Sequence, residues 1–454
     1  MKTIFVTIFE GVEAKNILRT DILPTLLKEK DLRLVLFTKN EAKKEYYARE
    51  FKDPRVVYEV VGSSKIRGLD SVFRTLKFLL INTESKDLQR EIKLQNTRNY
   101  FSYYAMTALS RLLARPSVRK FVRILDFYLV RKDIYALYFD KYKPDLVFLA
   151  HLFDEPETHL LREAKRCGVA SIGFINSWDK ITAKGILRLL PDKAVVFNDT
   201  AKNEMIKFND MKPEDIFVGG ISQYDTYFPG QRSSREEFFK KIGCDPADKL
   251  IVYAPMGNAF SSSDWEMIDL LEALISKEKR FGRSKLLVRF QPNDFFEESE
   301  LKKRPYLAFD YPGMRFASRR GVDWDMDFND IAHLRDTLGH MALLVCYASS
   351  MSVDAAVFGK PVININFEIG NTKLASKFPT KFYRMTHYRN ALRTGGIRLV
   401  GSKSELIEWM GNYLENPSRD KLNREKLVLE QCKFTDGKSG ERIGKFILGR
   451  LYEN

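Results

Sequence analysis

The sequence predicts an α/β protein built from two Rossmann-like, doubly wound parallel-sheet domains that face each other across a cleft. Three observations carry that expectation. The apolar runs are β-branched and continuous rather than alternating, which is how strands buried on both faces of a parallel sheet read. These runs alternate with helical patterns, as strand–helix–strand units do. The whole pattern then restarts after a polar segment near the middle of a 454-residue chain, which is too long for one ordinary core.

Taken in order, "TIFVTIF" (3–9) reads as the first strand and "ILRTDILPTLLKEK" (17–30) as the helix behind it. Strands follow at "LRLVLFT" (32–38) and "RVVYEVV" (55–61). Residues 64–135 break the rhythm. They read as long helices carrying 15 Lys/Arg against 6 Asp/Glu, so +9 of the chain's +15 lies there. The rhythm resumes with strands at "DLVFLA" (145–150), "VASIGFI" (169–175), "KAVVF" (193–197) and "IFVG" (216–219), and with a helix over 155–167. "PGQRSSREE" (229–237) reads as a linker running into a helix. The second series comprises "KLIVYAP" (249–255), "KLLVRF" (285–290), "LLVCYA" (343–348) and "VININF" (362–367). The expected domains are therefore 1–228, with its insertion, and 229–440. A basic amphipathic helix closes the chain at 441–454, either sealing the C-terminal half or crossing back to the first.

Composition narrows the classes. An apolar fraction of 44% and an aromatic fraction of 13% fit a packed globular protein rather than a disordered one. The formal charge of +15 fits an anionic partner. Aromatics interleave with the bases of 64–135, as in "NYFSYYAMTALSRLLARPSVRKFVRILDFYLVRK". That suits contact with an anionic membrane surface, the alternative being core aromatics beneath a solvated basic face. Nucleic acid fits poorly, because neither an RNP-like aromatic strand nor a helix-turn-helix pattern accompanies the charge. Cys167, Cys244, Cys346 and Cys432 lie far apart, as reduced cytosolic cysteines do. The five histidines have no zinc spacing. The N-terminus reads as a strand rather than a signal peptide, and no apolar stretch reaches the ~18 residues needed to span a bilayer. The expected location is cytoplasmic, free or peripheral on the inner face of the membrane. "DWDMDFND" (323–330) fails as a calcium loop, since Phe328 and Leu334 stand where Gly and Glu are needed. It reads instead as an acidic helix start capped by Asp327 or Asn329. No metal and no cofactor are expected.

Open α/β sheets bind ligands beyond the carboxyl ends of their strands, so candidate residues are those that follow each strand. In the first half these are Glu10, Gly11 and Glu13, then His151, Asp154 and Glu155, then Ser177, Trp178, Asp179 and Lys184. In the second half they are Gly257 and Asn258, then Arg289 and Gln291, then the run Ser349, Ser350, Ser352 and Asp354. A helix starting near Ser349 or Ser350 presents free N–H groups and a partial positive charge, a cradle for phosphate. Asp354 is placed to accept ribose hydroxyls. Ordinary serine capping explains the same run equally well.

Five stretches together resemble bacterial surface-polysaccharide proteins of the GT-B glycosyltransferase and UDP-N-acetylglucosamine 2-epimerase superfamily, with CDP-glycerol glycerophosphotransferases as neighbours. "SSMSVDAAVFGKPVININF" resembles the phosphate-binding strand–turn–helix. "NSWDKITAKG" is similar to a SWDN-(I/L)-T-(S/A)-KG element, "EGVEAKNILRTD" to a first-strand loop, "VGGISQYDTYF" to a G-x-P-Q-(F/Y)-D hinge and "FTDGKSGERI" to a C-terminal DGKAxERI element. The resemblance implies a GT-B fold with a nucleotide-activated donor in the C-terminal half. Ser349, Ser350 and Ser352 would touch its phosphates, and Asp354 stands at the offset of the epimerases' ribose-binding glutamate. The acceptor would enter near Glu10, Glu13 and the Ser-Trp-Asp segment. Three positions depart from the pattern. Gln291 stands where the family has His, Lys180 where it has Asn, and Ile221-Ser222 where it has a small residue and Pro.

The function expected is transfer of a sugar from a nucleotide-sugar donor to a surface-polysaccharide or glycolipid acceptor, without an obligatory metal. Glu10 or Glu13 would be the general base, with Asp179 behind. Arg289 or Lys184 would meet the leaving phosphate. Three alternatives stay open: polyol-phosphate transfer from a CDP-activated donor, nucleotide-sugar 2-epimerisation, and an inactive GT-B module that binds a glycan or lipid.

Overall fold

A computed structural model of the chain describes residues 1–62, 66–228, 233–294, 298–316, 324–369 and 377–453. Contacts divide the chain into two compact units. The first comprises residues 1–91, 99–228 and 432–454; the second comprises 229–431 with the short segment 92–98.

The strands of the first unit are β1 (Lys2–Thr7), β2 (Leu32–Thr38), β3 (Val56–Val60), β4 (Leu146–Leu149), β5 (Ala170–Phe174), β6 (Lys193–Val196) and β7 (Ile216–Val218). They form one parallel sheet in the order β3-β2-β1-β4-β5-β6-β7. The order reverses between β1 and β4, which opens a crevice at their carboxyl ends. The sheet is doubly wound around a core that includes Phe5, Val35, Phe37, Val147, Leu149, Leu160 and Val196. The expected single helix over 17–30 is instead two short ones, Gly11–Ile17 and Ile22–Leu27. Both are brief because the chain must turn between them at Thr20, whose hydroxyl caps back onto the Asn16 and Ile17 carbonyls.

The second unit adds β8 (Lys249–Ala254), β9 (Ser284–Arg289), β10 (Ala308–Asp310), β11 (Met314–Arg315), β12 (Trp324–Asp325), β13 (Leu343–Cys346), β14 (Val362–Ile365) and β15 (Arg398–Val400). Six make a second parallel sheet, β10-β9-β8-β13-β14-β15, and β11 pairs with β12 alone. Its switch point lies between β8 and β13. The edge strands β10 and β15 escaped the sequence reading because they are three residues long and partly exposed, so they carry no buried apolar run. Asp327 caps the Phe328–His340 helix in a reciprocal pair with Asp330.

The insertion of the first unit is helical: Leu69–Leu76, Glu84–Thr97, Tyr100–Leu113 and Pro116–Leu129. Both apolar packing, around Leu80, Ile81 and Ile186, and buried charge fasten it to the sheet. Arg188 donates to both oxygens of Asp126 at 2.7 and 2.8 Å, to Asp70 at 2.7 Å, and also to Glu155. Asp126 takes a further bond from Arg162 at 2.6 Å. Burial would raise the Asp70 carboxyl, but His159, Arg188 and Lys132 outweigh it and hold it well below the usual range. Buried charges persist only when paired in this way.

The C-terminal helix Ser439–Tyr452 packs on the first unit. Its Gly440 N–H donates to Asp225 at 2.6 Å, and Phe446 stacks on Phe217 with ring centroids 4.2 Å apart. A Cβ on Gly444 would sit 2.7 Å from Cβ of Thr25, so only glycine permits this approach. Among the described residues no helix is long and apolar enough to cross a membrane.

Candidate active site

The crevice between β1 and β4 gathers the first group of candidate residues. Glu13 lies in the first turn of the Gly11–Ile17 helix and is fully buried. One carboxylate oxygen accepts from the N–H of Phe9 at 2.5 Å and of Glu10 at 3.0 Å. Among the described residues the other oxygen has no hydrogen-bond partner, and it lies 4.0 Å from Nδ1 of His151. Burial, followed by the charges of Glu10 and Asp154, pushes the Glu13 carboxyl up to about 8. An acid at that value exchanges its proton near neutrality, as a general acid or base requires.

His151 follows β4 and is almost wholly buried. Its Nδ1 lies 2.7 Å from Asp154 Oδ2, and its Nε2 contacts the Lys180 ammonium. Burial and then Lys180 push the imidazole pKa down, against the pull of Asp154. A neutral ring that accepts from Lys180 at Nε2 carries its proton on Nδ1, facing Asp154. Glu157 closes the back of the site. It accepts from the Thr7 hydroxyl at 2.6 Å and from the His151 N–H at 2.7 Å, and burial next to Glu13 raises its carboxyl well above the ordinary value. Glu13, His151 and Asp154 bring ligand atoms within 4.8 Å of one another, a set able to hold a metal ion. The Lys180 ammonium already supplies a positive charge beside that set.

Other first-unit candidates fall elsewhere. Glu10 caps the Gly11–Ile17 helix, and Gly11 is its buried first residue. Glu155 belongs to the ionic interior, where Lys77 at 2.7 Å and Arg188 donate to its carboxylate. Asp179 accepts from Ser177 Oγ and stands at the N-cap of the short Lys180–Ala183 helix, beside half-buried Trp178. It holds a turn there, next to the His151 partner Lys180. Lys184 is exposed just past that helix. Lys180 and Glu157 were not among the sequence candidates. The signal for Lys180 was its departure from the family asparagine; Glu157 gave none, since it looks like any acidic residue near a helix start.

In the second unit the switch point between β8 and β13 gathers the remaining candidates. Gly257, at φ +86, turns the chain after β8. Its N–H donates to Asp264 at 2.8 Å, and the Asn258 N–H donates to Asp294 at 3.1 Å. Both donors are therefore spent on carboxylates of the unit itself. Gln291 steadies the same turn by donating to the Met256 carbonyl at 2.8 Å. Arg289 lies in the interior of the unit. It is buried against Asp310 at 3.0 Å, and Asp310 also binds His333 at 2.8 Å.

The serine run divides by helical phase. Ser350 is exposed at the N-cap of the Met351–Val357 helix, and half-buried Ser349 accepts from the Met351 N–H at 3.2 Å. Ser352 lies in the core. It is fully buried and bonded to Tyr388 at 2.9 Å and Asn364 at 3.1 Å, with Cys346 at 3.4 Å. Asp354, two residues on, is also buried. Lys381, which the sequence did not single out, is half-buried in the same unit. Burial lowers its ammonium to about 8 against the pull of Glu368.

No protein-family model matches the chain, and no curated protein matches it. Solved structures do. The fold is α/β and GT-B-like, and solved structures share it along nearly the whole chain. A Staphylococcus aureus MnaA–UDP complex is 12% identical with a TM-score of 0.55, covering 99% of this chain and 97% of its own. A UDP-GlcNAc 2-epimerase from Neisseria meningitidis bound to UDP-GlcNAc is 11% identical at 0.56, covering 99% and 100%. A wall teichoic acid polymerase TagF variant soaked with CDPG is 13% identical at 0.52, covering 100% and 89%. At these identities the likeness concerns the fold.

Proposed function

We propose that the protein transfers a sugar from a nucleotide-sugar donor to a surface-glycan or glycolipid acceptor. The observation that supports this most is the buried Glu13 with one unpartnered oxygen, set against His151, Asp154 and Lys180 at the switch point of the first sheet. In this reading an acceptor hydroxyl attacks the anomeric carbon, and the bond from that carbon to the donor phosphate breaks. The hydroxyl proton passes to Glu13, and the nucleotide leaves with the bonding electron pair. By the resemblance, Ser349 and Ser350 would touch its phosphates. The donor's home in the cytoplasm sets the location. The names of the fold neighbours, an epimerase with UDP-GlcNAc and a polymerase with CDPG, supply the donor class.

The test begins with thermal shifts against CMP, UDP, GDP, dTDP and CDP. A nucleotide at 100 times its dissociation constant stabilises by about 2.7 kcal/mol. Absence of any shift would sink the reading. Glu13→Gln should keep the nucleotide shift while turnover falls roughly 10²–10⁴-fold. The epimerase neighbours favour one second reading, 2-epimerisation. Interconversion of UDP-GlcNAc by the protein without any acceptor, followed by NMR, would replace the first reading with that one.

A further inference from the structure

The Pro116–Leu129 helix is inside-out. Its inward face carries charge beside the partly buried Val118, Val122 and Phe127, which pack on the core. Arg119 binds Asp210 at 2.7 Å through Nε, and Arg123 binds Asp210 at 2.9 Å and the Leu187 carbonyl at 3.0 Å. Asp126 sits in the Arg162–Arg188 network. Its outward face carries Phe121, Ile124 and Tyr128, exposed by 60, 47 and 68% and spaced three and four residues apart. Such spacing makes one helical stripe. The preceding Tyr100–Leu113 helix also turns apolar groups outward. Its Ser110 is buried and donates to the Ile81 carbonyl at 3.1 Å, while Phe101, Tyr104 and Leu112 point outward with exposures of 86, 66 and 57%. Exposed aromatic and aliphatic groups on this scale mark an interaction surface.

The charge beside these stripes selects the occupant. On the two helices and the turn between them, residues 100–129, the exposed charged side chains are Arg111, Arg115 and Lys120, all basic; the single acid there, Asp126, is buried, and just beyond them Arg131 and Asp133 are both exposed. A second copy of this face would bring those three bases against three more, with no exposed acid on either helix to pair them. Nucleic acid would use the bases but leave Leu112 and Ile124 facing phosphate. An anionic lipid surface uses both. The headgroups take the bases, and the aromatic and aliphatic stripe enters the acyl boundary. Each helix has 14 residues and is about 21 Å long, enough to lie in the interface.

We propose that the Tyr100–Leu113 and Pro116–Leu129 helices are an interfacial docking surface for anionic lipid membranes. This goes beyond the transfer reading and stands whether or not that reading does. The experiment is co-sedimentation of the whole chain with phosphatidylcholine vesicles, with and without 30% phosphatidylglycerol, at low and high salt. Binding is expected to the anionic vesicles alone at low salt, and to fall sharply in 0.5 M salt as screening shortens to a few ångströms. Each base near such a surface is worth about fivefold in partitioning. The triple variant Arg111→Gln/Arg115→Gln/Lys120→Gln should therefore bind roughly 100-fold more weakly. Phe101→Ser/Phe121→Ser/Tyr128→Ser should bind at least tenfold more weakly, with unchanged circular dichroism because these side chains touch solvent. Three results would overturn the proposal: no binding to anionic vesicles at low salt; aromatic-variant binding equal to wild type; or a dimer in light scattering that the aromatic substitutions abolish while vesicle binding is absent. Nucleotide thermal shifts on the same variants keep a failure here separate from a failure of the transfer reading.

Discussion

Replacing Glu13 by Gln tests the electrostatics of the first-sheet crevice directly. The side chain has no solvent exposure, and its carboxyl is raised from the ordinary 4.5 to about 8. The folded state therefore binds this proton more tightly than the unfolded chain. Below pH 4.5 both states are protonated and the group is neutral in its effect. Between pH 4.5 and 8 the unfolded chain gives up the proton first, so stability falls as pH rises. Above 8 the loss is complete. At about 1.4 kcal/mol per pH unit, the full loss is about 5 kcal/mol. Gln keeps an oxygen for the Phe9 and Glu10 N–H groups but has no proton to lose. Any steric or hydrogen-bonding cost of the amide is the same at every pH. The stability difference between Glu13→Gln and wild type should thus grow in favour of the variant from pH 5 to pH 8 and then level off. At about 2–4 °C per kcal/mol for a large domain, the change in the melting difference is on the order of 10 °C. Differential scanning calorimetry of both proteins at pH 5, 6, 7, 8 and 9 reads it. A melting difference that is flat across this range would refute the burial argument for Glu13, and with it the poised acid at the centre of the site.

Asp126→Asn should destabilise by about 3–5 kcal/mol, because buried Arg162 loses its carboxylate partner and Arg188 loses one of its three; chemical denaturation checks this, and a loss below 1 kcal/mol would show the network to be dispensable. Ser352→Ala should cost about 1–3 kcal/mol, since Tyr388 and Asn364 lose a buried partner. The same variant should leave nucleotide thermal shifts at the wild-type size, and a shift reduced tenfold in concentration dependence would return Ser352 to the phosphate site.

The strands were legible because a strand buried on both faces must be a run of apolar, β-branched residues, and "LRLVLFT" or "KLIVYA" has no other use in a soluble chain. The junctions after them were legible too, since polar residues at strand ends need a reason. Strand order was not legible: a parallel strand reads the same at the edge of a switch point as two places away. Only the sheet order put Glu13 beside His151 and made one acid of several into a group with a raised pKa. Helical phase was half legible. The sequence shows that Arg119, Arg123 and Asp126 share one face of their helix and Phe121, Ile124 and Tyr128 the other, and that Ser350 and Ser352 point different ways. It does not show which face is inside. Hydrophobicity alone would have buried the aromatics. The tertiary structure buried the charges instead, because Asp210, Arg162 and Arg188, far along the chain, arrive to pair with them. A buried charge is tolerated only where such partners meet it, and no local pattern records where they come from.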